Sequence, residues 1–236
     1  METNNTDQAC AALAIPLGVL MLQTRFPRPP GDIGHPASFD FPVLYRVVQG
    51  ASAARVVRER AAGLLQPFID AAHELVAQGC GAISTSCGFL ALFQNELQAA
   101  LPVPVATSSL LQVATVQATL PPDKQVGIIT IAAESLTADH LRAVGADPAT
   151  PVSGVRSGGE FTRAIMGDQP EMNMELLRAE VLEAGERLRH AHPQVAAFVL
   201  ECTNMPPYAD ALRAASGLPV YDILTLLKGL PRRLPG

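Results

Sequence analysis

A chain of 236 residues with 48% hydrophobic and 17% charged content holds enough apolar material for one large core or two modest ones, and its sparse charge fits a homo-oligomer. The formal net charge of −5 argues against a nucleic-acid partner, which calls for clustered positive charge facing phosphate. The polar, acidic start "METNNTDQAC" lacks the positive region of an export signal, and the apolar run from Ala11 to Leu22 is too short to cross a bilayer, so a cytoplasmic chain with no membrane partner is expected.

The first apolar run, "IPLGVLML" (Ile15 to Leu22), predicts a buried strand. A long loop rich in proline and glycine follows, "QTRFPRPPGDIGHPASFDFPV". Apolar positions at Val56, Leu64, Phe68 and Leu75 predict one helix from about Ala51 to Ala77. Then "CGAIST" reads as a strand, "GFLALFQNELQAAL" as a helix and "VPVATSS" as a further strand. "QVGIITI" starts the series again, with helices near Leu136 to Val144 and Met174 to His190, and "VAAFVLE" and "LPVYDI" close it. Strands alternating with helices predict an α/β protein with parallel sheets.

The second half repeats the first. With Cys202 laid over Cys87, a shift of 115 residues, Pro104 falls on Pro219, Val105 on Val220, Leu97 on Leu212 and Ala100 on Ala215. "LGVLML" at Leu17 similarly echoes "VGIITI" at Val126. Two similar lobes follow, each a parallel sheet flanked by helices, related by a pseudo-two-fold axis with the active site between them. The expected division is residues 11–109 together with 220–236 in the first lobe and 110–219 in the second.

The four cysteines match no zinc spacing, so neither a metal nor a disulfide is expected. Cys10, in the terminus, and Cys80, between Gly79 and Gly81, read as small packing residues. Cys87 and Cys202 differ. Each follows an apolar strand and precedes a helix, where free amides stabilise a thiolate and ligands bind in parallel α/β sheets. "Thr-Ser-Cys-Gly" and "Glu-Cys-Thr-Asn" set hydroxyls, an amide and backbone N–H groups beside each thiol, a cradle for a carboxylate and for enolate-like charge next to it.

At "TSCGFL" (Thr85 to Leu90) and "ECTNMPPY" (Glu201 to Tyr208) the chain resembles the aspartate/glutamate/hydantoin racemase superfamily, enzymes that work without pyridoxal phosphate. The likeness covers nearly the whole chain, including "TRFPRPPGDIGHPASFDFPV", which is similar to a less-characterised branch. Many members show Cys-Asn-Thr in the first motif, where this chain has Gly88 and Phe89 after the cysteine, so the likeness extends to fold and chemistry but not to substrate.

The resemblance implies an isomerase that needs no cofactor, a racemase or epimerase of an amino acid, related carboxylate or hydantoin. Cys87 and Cys202 would remove and deliver the proton from opposite faces, and a free thiol's pKa of about 8.5 is close enough to neutrality for either role. Thr85, Ser86, Gly88, Thr203 and Asn204 would cradle the substrate carboxylate, with Arg25 pairing it from the loop. The alternatives are cis-trans isomerisation or decarboxylation of a small diacid on the same fold, or a non-catalytic protein that binds a small ligand. Asp32 and His35 read better as turn residues, Glu201 as either a tuner of Cys202 or a backbone contact, and Arg156 as part of a connection.

Overall fold

The computed structural model describes residues 15–234. Cys10 and residues 11–14 and 235–236 of the expected first lobe lie outside the described residues. Two four-stranded sheets, all parallel, carry the fold. The first has the order β2-β1-β3-β4, from β1 (Leu17–Leu22), β2 (Val43–Val48), β3 (Ala82–Thr85) and β4 (Val105–Ala106). The second repeats it as β6-β5-β7-β8, from β5 (Gln125–Thr130), β6 (Val152–Gly154), β7 (Val195–Leu200) and β8 (Val220–Tyr221). The expected α/β fold of two similar lobes is therefore observed.

Two glycines show why the halves match. Gly18 in β1 lies under Leu75 of α2 (Leu65–Ala77), and Gly127 in β5 lies under Leu188 of α6 (Met174–Ala191). A Cβ at either place would press on the covering leucine, so both sheets need a bare position beneath their principal helix. Central strands such as β1 and β3 are buried along their length, as parallel strands covered on both faces must be.

Three local expectations are corrected. The stretch between β1 and the first helix is not all loop, because "VLYRVV" forms the edge strand β2. Its half-exposed, mixed pattern hid it behind the prolines. The expected helix from Ala51 to Ala77 is broken into α1 (Ala53–Arg58) and α2 by a turn in which Arg60, Ala61 and Gly63 take positive φ. The short helix after Cys87 is a 3-10 turn (Gly88–Phe93) running into α3 (Gln94–Ala100). At the end of the chain β8 still pairs with β7, after which α8 (Ile223–Gly229) packs Ile223 and Leu227 against Leu17, Val19 and Ala82 of the first sheet.

Candidate functional site

The carboxyl ends of the four central strands meet at one place. Leu22 closes β1, Ser86 and Cys87 follow β3, Thr130 closes β5, and Glu201 and Cys202 follow β7. Several long-range bonds lock the lobes together there. Thr203 Oγ1 donates to the Ser86 carbonyl at 2.7 Å, and Ser109 Oγ donates to the Leu200 carbonyl at 2.6 Å. Phe89 packs edge-on against His140 of α5 (Ala138–Ala143), with ring centroids 5.3 Å apart.

A narrow cavity of about 20 Å³ opens between these ends. Cys87 and Cys202 both line it, with Ser86, Gly88, Glu201, Thr203 and Asn204. Its other walls are apolar: Leu22, Phe26, Ala53, Val57, Ile131, Ile165 and Met166. The structure thus brings the two thiols and four of the six expected substrate-binding residues to one cleft.

The remaining two lie elsewhere. Thr85 sits behind the wall, its hydroxyl donating to the Thr107 carbonyl at 2.6 Å. Arg25 stands on the outside with its side chain 74% exposed, and its Nε pairs with Asp168 at 3.1 Å. The arginine that faces inward is Arg28, three residues on. It pairs with Asp32 at 2.9 Å, with Asp32 buried and Arg28 largely covered, and its guanidinium lies 4.6 Å from the Phe26 ring centre.

Asp32 is more than a turn residue. Its Oδ1 holds Arg28 and the Gly34 amide, and its Oδ2 accepts from Asn204 Nδ2 at 2.6 Å. With that nitrogen engaged, Asn204 Oδ1 faces the Cys202 thiol, 3.6 Å away. His35 accepts from the Ala37 amide and caps a short turn, and Arg156 pairs with the exposed Glu183; neither reaches the cavity.

The electrostatics overturn one expectation. Rather than lying near neutrality, the Cys87 thiol is pushed up to about 12 by burial, with the Glu201 charge adding to the rise. The Phe89 amide and Arg28 pull the other way without prevailing. Burial and Glu201 also raise Cys202 well above the ordinary range, against the help of the Asn204 amide. The free amides at the two turns do meet the thiols as expected, but desolvation outweighs them. Glu201 is itself raised to about 7 by burial, opposed only by the bond from Thr130 Oγ1. Both thiols thus rest protonated, and a thiolate made here is a strong base between mostly apolar walls.

Arg28, Thr130 and the apolar wall from Phe26, Ile131, Ile165 and Met166 were not singled out in the sequence. "RFPRP" presents two arginines, and local pattern does not say which turns inward. Among the described residues, no cluster of three or more His, Cys, Asp or Glu has the arrangement to hold a metal, and no helix is long and apolar enough to cross a membrane.

The fold is shared with arylmalonate decarboxylase and with aspartate and glutamate racemases. An arylmalonate decarboxylase double mutant in its liganded form superposes with a TM-score of 0.58 at 16% identity, covering 93% of this chain and 96% of that one. Glutamate racemase from Bacillus anthracis shares the fold at a TM-score of 0.53 and 16% identity, over 86% of this chain and 75% of that one. No family profile matches the chain.

Sequence relatives narrow the class. The chain is 30% identical over 215 residues to dimethylsulfoniopropionate lyase of Durusdinium sp. clade D, covering 88% of this chain and 71% of that protein. It is 33% identical over 219 residues to dimethylsulfoniopropionate lyase 7 of Emiliania huxleyi (strain CCMP1516), covering 89% of this chain but only 64% of that relative's length. The chain belongs to the dimethylsulfoniopropionate lyase family, a family of enzymes.

Proposed function

We propose that the chain eliminates a leaving group from the carbon β to a carboxylate, with dimethylsulfoniopropionate, for which its relatives are named, as the substrate. That compound is a propionate carrying a dimethylsulfonio group on its far carbon. The thiolate of one cysteine takes a proton from the carbon next to the carboxylate, while the other, still a thiol, donates a hydrogen bond to the carboxylate as enolate-like charge builds on it. The released electron pair forms the carbon–carbon double bond, and the carbon–sulfur bond breaks with its electrons leaving on sulfur. Dimethyl sulfide and acrylate result, with the proton on the thiol until it passes to water.

The observation that carries this reading is the placement of Cys87 and Cys202 on one cavity, beside the amides of Phe89 and Asn204 and the groups of Ser86, Gly88 and Thr203. Those donors suit a substrate carboxylate and the enolate-like charge that builds on it as the proton leaves. Burial makes the resting thiols poor anions, and a substrate that brings a positive charge offsets the cost of forming one. No cofactor enters the reaction. The small-molecule carboxylate expected as partner is this substrate, and the expected assembly into a homo-oligomer stays part of the proposal.

The names of the relatives favour a lyase over the isomerase expected from the sequence. Racemisation shares the first step, and a second thiol on the same cavity is the observation that keeps it as a second reading. Incubating the purified chain with dimethylsulfoniopropionate and measuring dimethyl sulfide and acrylate tests the first. Solvent deuterium entering the α-carbon of amino acids or small diacids, with no sulfide released, would favour the second.

A further inference from the structure

We propose that Glu201 is the partner of the substrate's positive charge, so that the cavity selects a carboxylate bearing a fixed cation that cannot donate hydrogen bonds. The inference rests on the elimination reading for its substrate and adds the group that chooses it.

Glu201 is wholly buried and lines the cavity with both thiols. One carboxyl oxygen, Oε2, accepts from Thr130 Oγ1 at 2.6 Å; the other, Oε1, has no hydrogen-bond partner among the described residues. Gly88 leaves the room for it, since a Cβ there would overlap both the carboxyl group and the main-chain oxygen of Glu201. The charged or titratable groups that face this set are Cys87, Cys202, Asp32, Arg28 and Tyr208. The one cation among them, Arg28, is held by Asp32 and Thr24.

A carboxyl oxygen buried without a partner is costly, and the cost falls when a ligand supplies the missing charge. A sulfonium suits this carboxylate and its apolar neighbours better than an ammonium with several N–H groups. It offers diffuse positive charge and methyl groups, and the side chains of Leu22, Phe26, Ile131, Ile165 and Met166 on the cavity wall offer apolar contact and no oxygen acceptor. Burial places the titration of Glu201 at about 7, so the carboxylate form is accessible near neutral pH.

The test is calorimetric binding of two ligands of equal shape to the full chain. Dimethylsulfonioacetate carries the cation but has no β-carbon to eliminate from, and isovalerate places a neutral carbon where the sulfur is. The wild type should bind the sulfonium more tightly by about tenfold or more, as a desolvated charge pair would give. Glu201→Gln should bring the two within about twofold of each other, by loss of affinity for the sulfonium alone. Equal weakening of both ligands, or no discrimination by the wild type, would overturn the proposal. In the wild type alone the preference should also grow as pH rises through about 7, and a flat profile would overturn it without any variant. Neither measurement requires turnover, so a failure of the elimination reading shows separately, as absent dimethyl sulfide.

Discussion

Asp32 and Asn204 lie 172 residues apart and are joined by a buried 2.6 Å hydrogen bond, with Asn204 on the cavity wall. The bond ties the proline-rich loop of the first lobe to the cysteine turn of the second. It also orients the Asn204 amide so that its oxygen meets the Cys202 thiol, while Asp32 holds the largely covered guanidinium of Arg28. One carboxylate therefore positions a cation, an amide and, through the amide, a thiol.

Replacing Asp32 should be costly for that reason. Asp32→Asn leaves Arg28 largely covered without its counter-charge, which typically costs about 3–5 kcal/mol. Urea denaturation should show a loss of that order, and sulfide release should fall with it. An unchanged midpoint would mean that Arg28 finds water instead.

The two arginines of "RFPRP" should behave oppositely. Arg25→Ala removes an exposed pair with Asp168, of a kind worth about 0–1 kcal/mol, and should change kcat/KM by less than about threefold. Arg28→Ala strips the partner of Asp32 and should reduce kcat/KM by at least about a hundredfold. Steady-state kinetics of the two variants checks both.

Gly88 should tolerate no side chain. A Cβ would strike the main-chain oxygen of Glu201, which cannot rotate away as a side chain can. Gly88→Ala should destabilise by about 1–3 kcal/mol, as overpacking of a filled site does, and should lower activity more than stability. Thermal unfolding and turnover measured on the same preparation separate the two.

Much of this was legible in the sequence. Unbroken apolar runs identify the central strands because a parallel sheet buries both faces, and the repeat of strand, cysteine, helix and Xaa-Pro-Val locates both thiols at strand ends. The edge strands β2 and β6 were harder, since partial exposure gives a mixed pattern. The break between α1 and α2 was hidden because apolar spacing continues through the turn. The burial of Asp32 and Glu201 depends on Asn204 and Thr130, residues far along the chain that no local window contains. For the same reason free amides at strand ends promised acidic thiols, and only the assembled cavity shows that desolvation wins.

Glu201 should also leave a mark on stability. Its folded pKa of about 7 lies above its ordinary 4.5, so folding favours the protonated form. The stability this contributes is fully present below the unfolded pKa and is lost as pH rises through about 7. At about 1.4 kcal/mol per pKa unit, the loss between roughly pH 4.5 and 8 is about 3 kcal/mol. Glu201→Gln should flatten that part of the profile. Denaturation midpoints at a series of pH values decide it, and an equally steep profile in the variant would assign the slope to other groups.

The central claim is that Cys87 and Cys202 work on one substrate in one cavity. Its most direct test is dimethyl sulfide release from dimethylsulfoniopropionate by Cys87→Ser and Cys202→Ser, measured beside the wild type with folding checked by circular dichroism. Serine keeps nearly the same shape but is far less acidic, so it removes the thiol's proton chemistry while leaving the walls in place. Both variants should stay folded and lose at least about a thousandfold in rate, within the range expected of a positioned acid or base. Wild-type release from either folded variant would contradict the account.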